Sequence, residues 1–68
     1  MATGSVKSYN MHHGYGFITP DDGSPELTVY HDSILAPEPH ELTAGQHVEY
    51  DATIQEFRPV AERVRITD

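Results

Sequence analysis

Apolar and polar residues alternate along most of the chain, and Gly, Pro and Asp interrupt the alternation at short intervals. A period of two is typical of a strand with one buried face, whereas an amphipathic helix repeats its apolar residues every three to four positions. The pattern therefore predicts an all-β fold. We assign five strands to residues 5–10, 15–19, 27–31, 46–55 and 59–67.

Turn-forming residues separate these strands. Met11 to Gly14 follow the first strand, and the run Pro20-Asp21-Asp22-Gly23 ends the second, because Pro, Asp and Gly each favour a tight turn. A Pro-rich loop at residues 36–40 precedes the fourth strand. Five short strands joined in this way predict a small, closed or nearly closed barrel.

The alternation also assigns the strand residues to two faces. Tyr15, Phe17 and Tyr30 fall on the outer face of adjacent strands, where a ring leaves apolar area outside a small core and so needs a reason. The opposite face supplies the predicted core. Its members are Val6, Ile18, Leu27, Val29, Val48, Tyr50, Ile54, Val64 and Ile66.

Length and composition limit the possible function classes. The chain has 68 residues and no cysteine, so it is expected to form one domain over residues 1–68 without disulfides or thiolate-bound zinc. No Ser-His-Asp order, Gly-rich phosphate loop or paired carboxylate can be argued, and a small barrel fills its interior with side chains. We therefore predict a protein that is not an enzyme and has no cofactor.

The charge of the chain argues against simple binding to a polyanion. Eleven Asp and Glu stand against four Lys and Arg, which gives a formal net charge of -7. No Lys or Arg lies between Lys7 and Arg58, so any nucleic-acid function has to overcome repulsion. The sequence lacks a long apolar run and a secretory signal, which predicts a cytoplasmic protein with no membrane partner.

Three stretches then identify a family. The chain opens with Gly4-Ser5-Val6-Lys7, continues with Gly14-Tyr15-Gly16-Phe17-Ile18, and has Leu27-Thr28-Val29-Tyr30-His31 after the Pro-Asp-Asp-Gly turn. In order and spacing they resemble the opening and the two RNA-binding motifs of bacterial cold shock proteins. The resemblance covers essentially the whole chain. It implies a five-stranded antiparallel OB-fold β-barrel that binds single-stranded RNA or DNA by stacking bases on surface aromatics.

The resemblance, read with the outward rings, gives a set of predicted contacts. Lys7 keeps the family position and is the best candidate for a phosphate contact. Phe57 would add a replacement ring, or alternatively would cover the end of the barrel as a loop aromatic. The predicted nucleic-acid-binding residues are Lys7, Tyr9, Asn10, Tyr15, Phe17, Tyr30, His31 and Phe57.

The chain departs from the family at several stacking positions. Ser8 replaces a Trp, Thr28 replaces a Phe, and a loop Phe falls at about Pro39, while Tyr30-His31 invert a His-Phe pair. Losing three rings would weaken binding by about 3–9 kcal/mol, at roughly 1–3 kcal/mol per stacked base. Two functions stay open: an RNA chaperone or modulator of transcription and translation with reduced affinity, or a diverged acidic module that binds proteins.

Histidines offer a way to restore positive charge. His12, His13 and His31 fall at or near the predicted face, which leads to the hypothesis that acidification strengthens nucleic-acid binding. The alternative for His12 and His13 is a role as solvated turn residues. Their spacing with Asp32 is not that of a zinc site, so no metal is expected. We expect a monomer, and the sequence leaves a homodimer open.

Overall fold

Five strands follow one another in the computed structural model, which describes residues 2–35 and 42–67. They are β1 (Ala2–Asn10), β2 (Tyr15–Pro20), β3 (Leu27–Tyr30), β4 (His47–Gln55) and β5 (Arg58–Ile66). A single 3-10 turn, His31–Ser33, follows β3. All five predicted strands are present, and the main difference is that β1 begins at Ala2, where it pairs with β4. The described part contains no helix with the length and apolarity needed to span a membrane.

The strands close into a barrel in the order β1-β2-β3-β5-β4, with β4 pairing back onto β1. The predicted all-β, five-stranded barrel is therefore confirmed. Four of its pairings are antiparallel, whereas β3 runs parallel to β5, with Thr28 beside Val60 and Val29 beside Ala61. Closure matters for a chain this small because it leaves few backbone groups on open sheet edges.

The interior of the barrel follows the predicted alternation in most places. Ile18, Val29 and Val64 are completely buried, and Ile66 is half-buried against the same cluster. Burial, reinforced by the charges of Asp22 and Asp21, raises the pKa of the Tyr50 phenol, which keeps it neutral in the core. The core also contains residues that the sequence pattern missed. These are Ile34, Leu42, Val60 and Ala61.

Ile54 is the one predicted core residue that is wrong, because 67% of it is exposed. Among the described residues, β1 pairs with β4 as far as Tyr50, and from Asp51 onward β4 pairs with β5. The register between β4 and β5 shifts by one residue at the same level, and Arg63 adopts a positive φ of 50° there. A bulge of this kind increases the local twist. The end of the β4–β5 hairpin therefore extends past the barrel, and Ile54 has no core to face.

The tip of this hairpin is a two-residue turn made of unusual residues. Gln55 pairs with Arg58, and the intervening Glu56 and Phe57 have φ values of 50° and 66°. Two positive φ values are typical of a type I′ turn, which favours Asn-Gly and disfavours bulky side chains. The Phe57 ring is fully exposed, so the alternative role of covering the barrel end is wrong.

Substituting Phe57→Gly is expected to raise the free energy of unfolding by about 1 kcal/mol, because glycine adopts a left-handed conformation without steric cost. No buried area is lost, since the ring is fully exposed. The change is measured as a shift of the urea midpoint at constant slope. Gln55→Gly, at an extended position of the same hairpin, should lower stability. A lower stability for Phe57→Gly would show that the ring supports the fold.

Candidate nucleic-acid interface

Aromatic rings line the outer face of β2 and the end of β3. Tyr15 lies directly opposite Tyr30 in the antiparallel register, and both side chains point away from the core. Gly16, the residue after Tyr15 on β2, is buried. Phe17 shares the face of Tyr15, as the alternation predicts. His31 follows Tyr30 and is exposed. We refer to Phe17, Tyr15, Tyr30 and His31 as the aromatic strip.

The rings of the strip do not form one continuous flat surface. The centroids of Tyr15 and Phe17 are 5.9 Å apart and their planes stand at 89°, an edge-to-face arrangement. His13 adds a third ring, 5.9 Å from Tyr15 and tilted by 54°. A base that stacks flat on one of these rings would therefore meet the edge of its neighbour. The strip offers separate stacking surfaces, each suited to one base.

Two strand partners of Phe17 explain why the strip is narrow. Ser8 on β1 and Thr28 on β3 are the register neighbours of Phe17 on either side. These are two of the positions at which the sequence lacks an expected ring, and both side chains carry a hydroxyl. Phe17 is therefore a single ring between two small polar residues. Pro39, the third such position, lies outside the described residues.

The packing of β1 against β2 requires a glycine at position 16, because the Tyr9 ring and the Ser8 backbone occupy the space that a side chain would need. A Cβ at Gly16 would stand 2.7 Å from Cδ1 of Tyr9 and would collide with the backbone oxygen of Ser8. The glycine therefore makes room for β1 and the Tyr9 ring, which is half-buried and packs against the core. Tyr9 supports the barrel with one side and borders the aromatic strip with the other.

Asn10 shapes the turn between β1 and β2. Its side-chain Oδ1 accepts hydrogen bonds from the backbone N–H groups of His12 and His13, at 2.9 and 3.2 Å. The turn is joined to the end of β3, because the His31 N–H donates to the Gly14 carbonyl at 2.9 Å. Gly14 has a φ of 75°, and the His31 ring packs against it. Asn10, one of the predicted contact residues, thus stabilises the turn through its Oδ1 atom.

Two depressions border the aromatic strip. The β1–β2 groove, of about 550 Å³, includes Tyr9, Asn10 and Met11 and reaches Tyr15 and Phe17. The β3–β5 pocket, of about 420 Å³, lies at the other end. Its polar and aromatic lining includes Tyr30, His31, Asp32, Gln55 and Glu62. No lysine or arginine contributes to either depression in the described part of the chain.

The one lysine of the sequence, Lys7, already has a partner. Lys7 lies at a bulge in β1, next to Ser8, and its Nζ donates to a carboxylate oxygen of Glu26. Arg63 is also paired, with its Nη2 at 2.6 Å and its Nε at 2.7 Å from Oδ2 of Asp51. Both pairs are largely exposed, so they contribute little to stability. The Lys7–Glu26 pair therefore neutralises the positive charge next to the strip.

The structure thus brings together six of the eight predicted contact residues along the strip and the β1–β2 groove, with Lys7 beside them. Phe57 stands apart at the hairpin tip, although Gln55, two residues earlier, lines the β3–β5 pocket. Sequence patterns gave no signal for Asp32, Gln55 or Glu62 at this site. The described residues contain no group of three or more His, Asp or Glu that could hold a metal ion.

The chain is similar in sequence to known cold-shock proteins. Residues 2–67 match the family 'Cold-shock' DNA-binding domain. The chain is 39% identical over 64 residues to Cold shock protein ScoF of Streptomyces coelicolor, a match that covers 94% of this chain and 96% of that protein. It is 50% identical over 52 residues to Cold shock protein 1 of Arabidopsis thaliana, covering 76% of this chain and 17% of the plant protein.

A solved structure supports the fold. The Drosophila protein described as Unr CSD456 superposes with a TM-score of 0.80 at 24% sequence identity, covering 98% of this chain and 26% of that one. At this identity the likeness concerns the fold alone. The chain therefore spans about a quarter of that structure and about a sixth of the plant relative, while it matches nearly all of the Streptomyces protein.

Substituting Asn10→Ala is expected to lower the free energy of unfolding by about 1 kcal/mol, because two backbone N–H groups lose their acceptor. Asn10→Asp keeps an oxygen at the same place and should retain most of the stability. Chemical denaturation of the three proteins measures both effects. Equal damage by Asp and Ala would show that the amide nitrogen, and not Oδ1, is the important group.

Proposed function

The chain belongs to the cold-shock domain family, and from this premise we propose that it binds single-stranded RNA or DNA through the aromatic strip. The observation that carries the proposal is the outward register of Tyr15, Phe17 and Tyr30 on two adjacent strands. Stacking suits any base because every base has a π-face. Depressions at both ends of the strip give a single strand room to continue.

The proposed affinity is lower than that of a ring-rich, basic relative. Phe17 has hydroxyl side chains on both sides, at Ser8 and Thr28, so fewer bases can stack. The net charge of -7 repels phosphate, and Glu26 competes for Lys7. Each effect reduces the binding free energy without removing the stacking surfaces. Weak binding with a shallow salt dependence follows from this combination.

We also propose that the protein acts in the cytoplasm. A role as an RNA chaperone, or as a modulator of transcription and translation, would follow from preferential binding to the unpaired form of a nucleic acid. A protein that binds the open form of a weak RNA hairpin shifts the equilibrium toward that form without ATP or catalysis. Closure of the barrel supports action as a monomer, because few strand edges are open to a second copy.

The main test is a titration with oligothymidine and oligouridine of about seven nucleotides in low salt, a length within the range of one OB fold. The chain has four tyrosines and no tryptophan, so quenching of tyrosine fluorescence reports stacking. Phe17→Ala is expected to weaken binding at least about fivefold, the lower end of the effect for one stacked base. Ile54→Ala, which removes an exposed apolar side chain on the hairpin, serves as the control.

The same titration is repeated at about pH 7.5 and about pH 5.5, because His12, His13 and His31 lie at or near the strip and a protonated imidazole carries positive charge. Tighter binding is expected at the lower pH. Equal affinities for Phe17→Ala and the parent protein would contradict the aromatic strip as the binding surface. Absence of binding under both conditions would contradict nucleic-acid binding altogether.

A second prediction concerns the competition for Lys7. Glu26→Gln is expected to raise affinity for oligothymidine a few-fold in low salt and to steepen the salt dependence by about one released ion, because Lys7 becomes available to phosphate. Glu49→Gln also removes one negative charge, but on β4, and so measures how much affinity is gained from the change in net charge alone. Equal gains from both variants would contradict a specific competition between Glu26 and phosphate.

The second candidate function is an acidic module that binds proteins. The observation that favours it is the exposure of Ile54 and Phe57 on one hairpin that extends past the barrel, next to Glu56. Exposed apolar groups beside acidic ones are typical of an interaction surface. Complete absence of oligonucleotide binding in the titrations above would favour this function.

A further inference from the structure

We propose that the β3–β5 pocket reads the edge of a base and selects guanine over thymine and uracil within a bound single strand. This inference rests on the proposed function, because the pocket would receive the base that follows those stacked on the aromatic strip. Asp32 and Glu62 supply the selectivity, and Tyr30 supplies a ring beside them.

The pocket continues the aromatic strip without interruption. Tyr30 belongs to both, and it lies opposite Tyr15 in the β2–β3 register. β5 runs parallel to β3, with Val29 beside Ala61, and the residue after each of them, Tyr30 on β3 and Glu62 on β5, lines the pocket. The parallel contact therefore brings a carboxylate into the same pocket as the last ring of β3. A strand that crosses Phe17 and Tyr15 would reach this carboxylate after Tyr30.

The size and rigidity of the pocket suit a small planar group. Its volume of about 420 Å³ lies within the range of small-molecule sites, roughly 300–1,000 Å³. Buried Val60 and Ala61 form part of its lining, and they do not compete for hydrogen bonds through their side chains. The backbone of His31 is held by its 2.9 Å hydrogen bond to Gly14. The parts of the wall formed by Val60, Ala61 and the His31 backbone are thus held by the fold.

The polar groups of the pocket determine what can enter. Asp32 and Glu62 contribute carboxylate oxygens that accept hydrogen bonds, and neither pairs with a basic side chain among the described residues. Two unpaired negative charges repel a phosphate group, so the sugar-phosphate backbone is expected to stay outside. A neutral base whose edge carries donors is the part of the strand that complements them.

Guanine fits this requirement best among the bases. Its Watson-Crick edge presents an N–H and an adjacent amino group, which match the two oxygens of one carboxylate. Thymine and uracil present one N–H between two carbonyl oxygens, and those oxygens face the carboxylate unfavourably. Adenine and cytosine carry one amino group beside a ring acceptor and should be intermediate. Gln55 adds a side chain that can both donate and accept, so it can contact the guanine carbonyl.

The experiment compares oligothymidine of about seven nucleotides with the same strand carrying one central guanine, adenine, cytosine or hypoxanthine. One guanine is expected to tighten binding at least about fivefold, the lower end of discrimination by a paired base contact. Hypoxanthine, which lacks the amino group, should lose most of this gain. Glu62→Gln and Asp32→Asn are expected to remove the guanine preference while leaving oligothymidine binding equal or tighter.

Glu49→Gln provides the matched control, since it removes one carboxylate away from the pocket and should keep the guanine preference. Equal affinities for all five strands, with binding still weakened by Phe17→Ala, would overturn the inference and leave the proposed function intact. Absence of binding to every strand would overturn both. Binding of an arginine-rich peptide that depends on Asp32 and Glu62, with no base preference, would assign the pocket to a cationic protein partner.

Discussion

The closed barrel requires a close approach of β1 and β2, which leaves no room for a side chain at two positions. A Cβ at Gly4 would stand 2.6 Å from the Thr19 oxygen, and one at Gly16 would collide with the Ser8 oxygen. This approach lets β1 pair with β2 on one side and with β4 on the other. In the closed barrel, alternate residues of each strand fill the interior and the others face outward. The aromatic strip therefore lies on the outer surface of the barrel.

Stacking and electrostatics act in opposite directions on the surface that results. The rings of Tyr15, Phe17 and Tyr30 favour bases, whereas the charge of -7 disfavours the phosphates that carry them. The Lys7–Glu26 pair and the carboxylates of the β3–β5 pocket reduce phosphate attraction at both ends of the strip. The proposed nucleic-acid interface would gain little from non-specific attraction to phosphate, so contacts to the bases would decide what binds.

The tip of the β4–β5 hairpin holds two residues in an unfavourable backbone conformation, and burial of the Phe57 ring does not compensate for it. Glu56 and Phe57 occupy the left-handed region, and the ring of Phe57 contacts solvent. Residues held in sparsely populated backbone regions cluster at binding and active sites, which is consistent with the second candidate function. Gln55 connects this tip to the β3–β5 pocket, so a ligand in the pocket would lie within reach of the hairpin.

The sequence by itself determined the features that depend on local alternation. It predicted five strands, most of the core and the outward direction of Tyr15, Phe17 and Tyr30, because the faces of a strand repeat every two residues. It could not predict the exposure of Ile54, which lies beyond the register shift between β4 and β5, or the parallel contact of β3 with β5. The pairing of Lys7 with Glu26 and the pocket that Asp32 and Glu62 both line likewise bring together residues distant in the chain. Only tertiary structure decides such contacts, since local periodicity carries no information about which strands become neighbours.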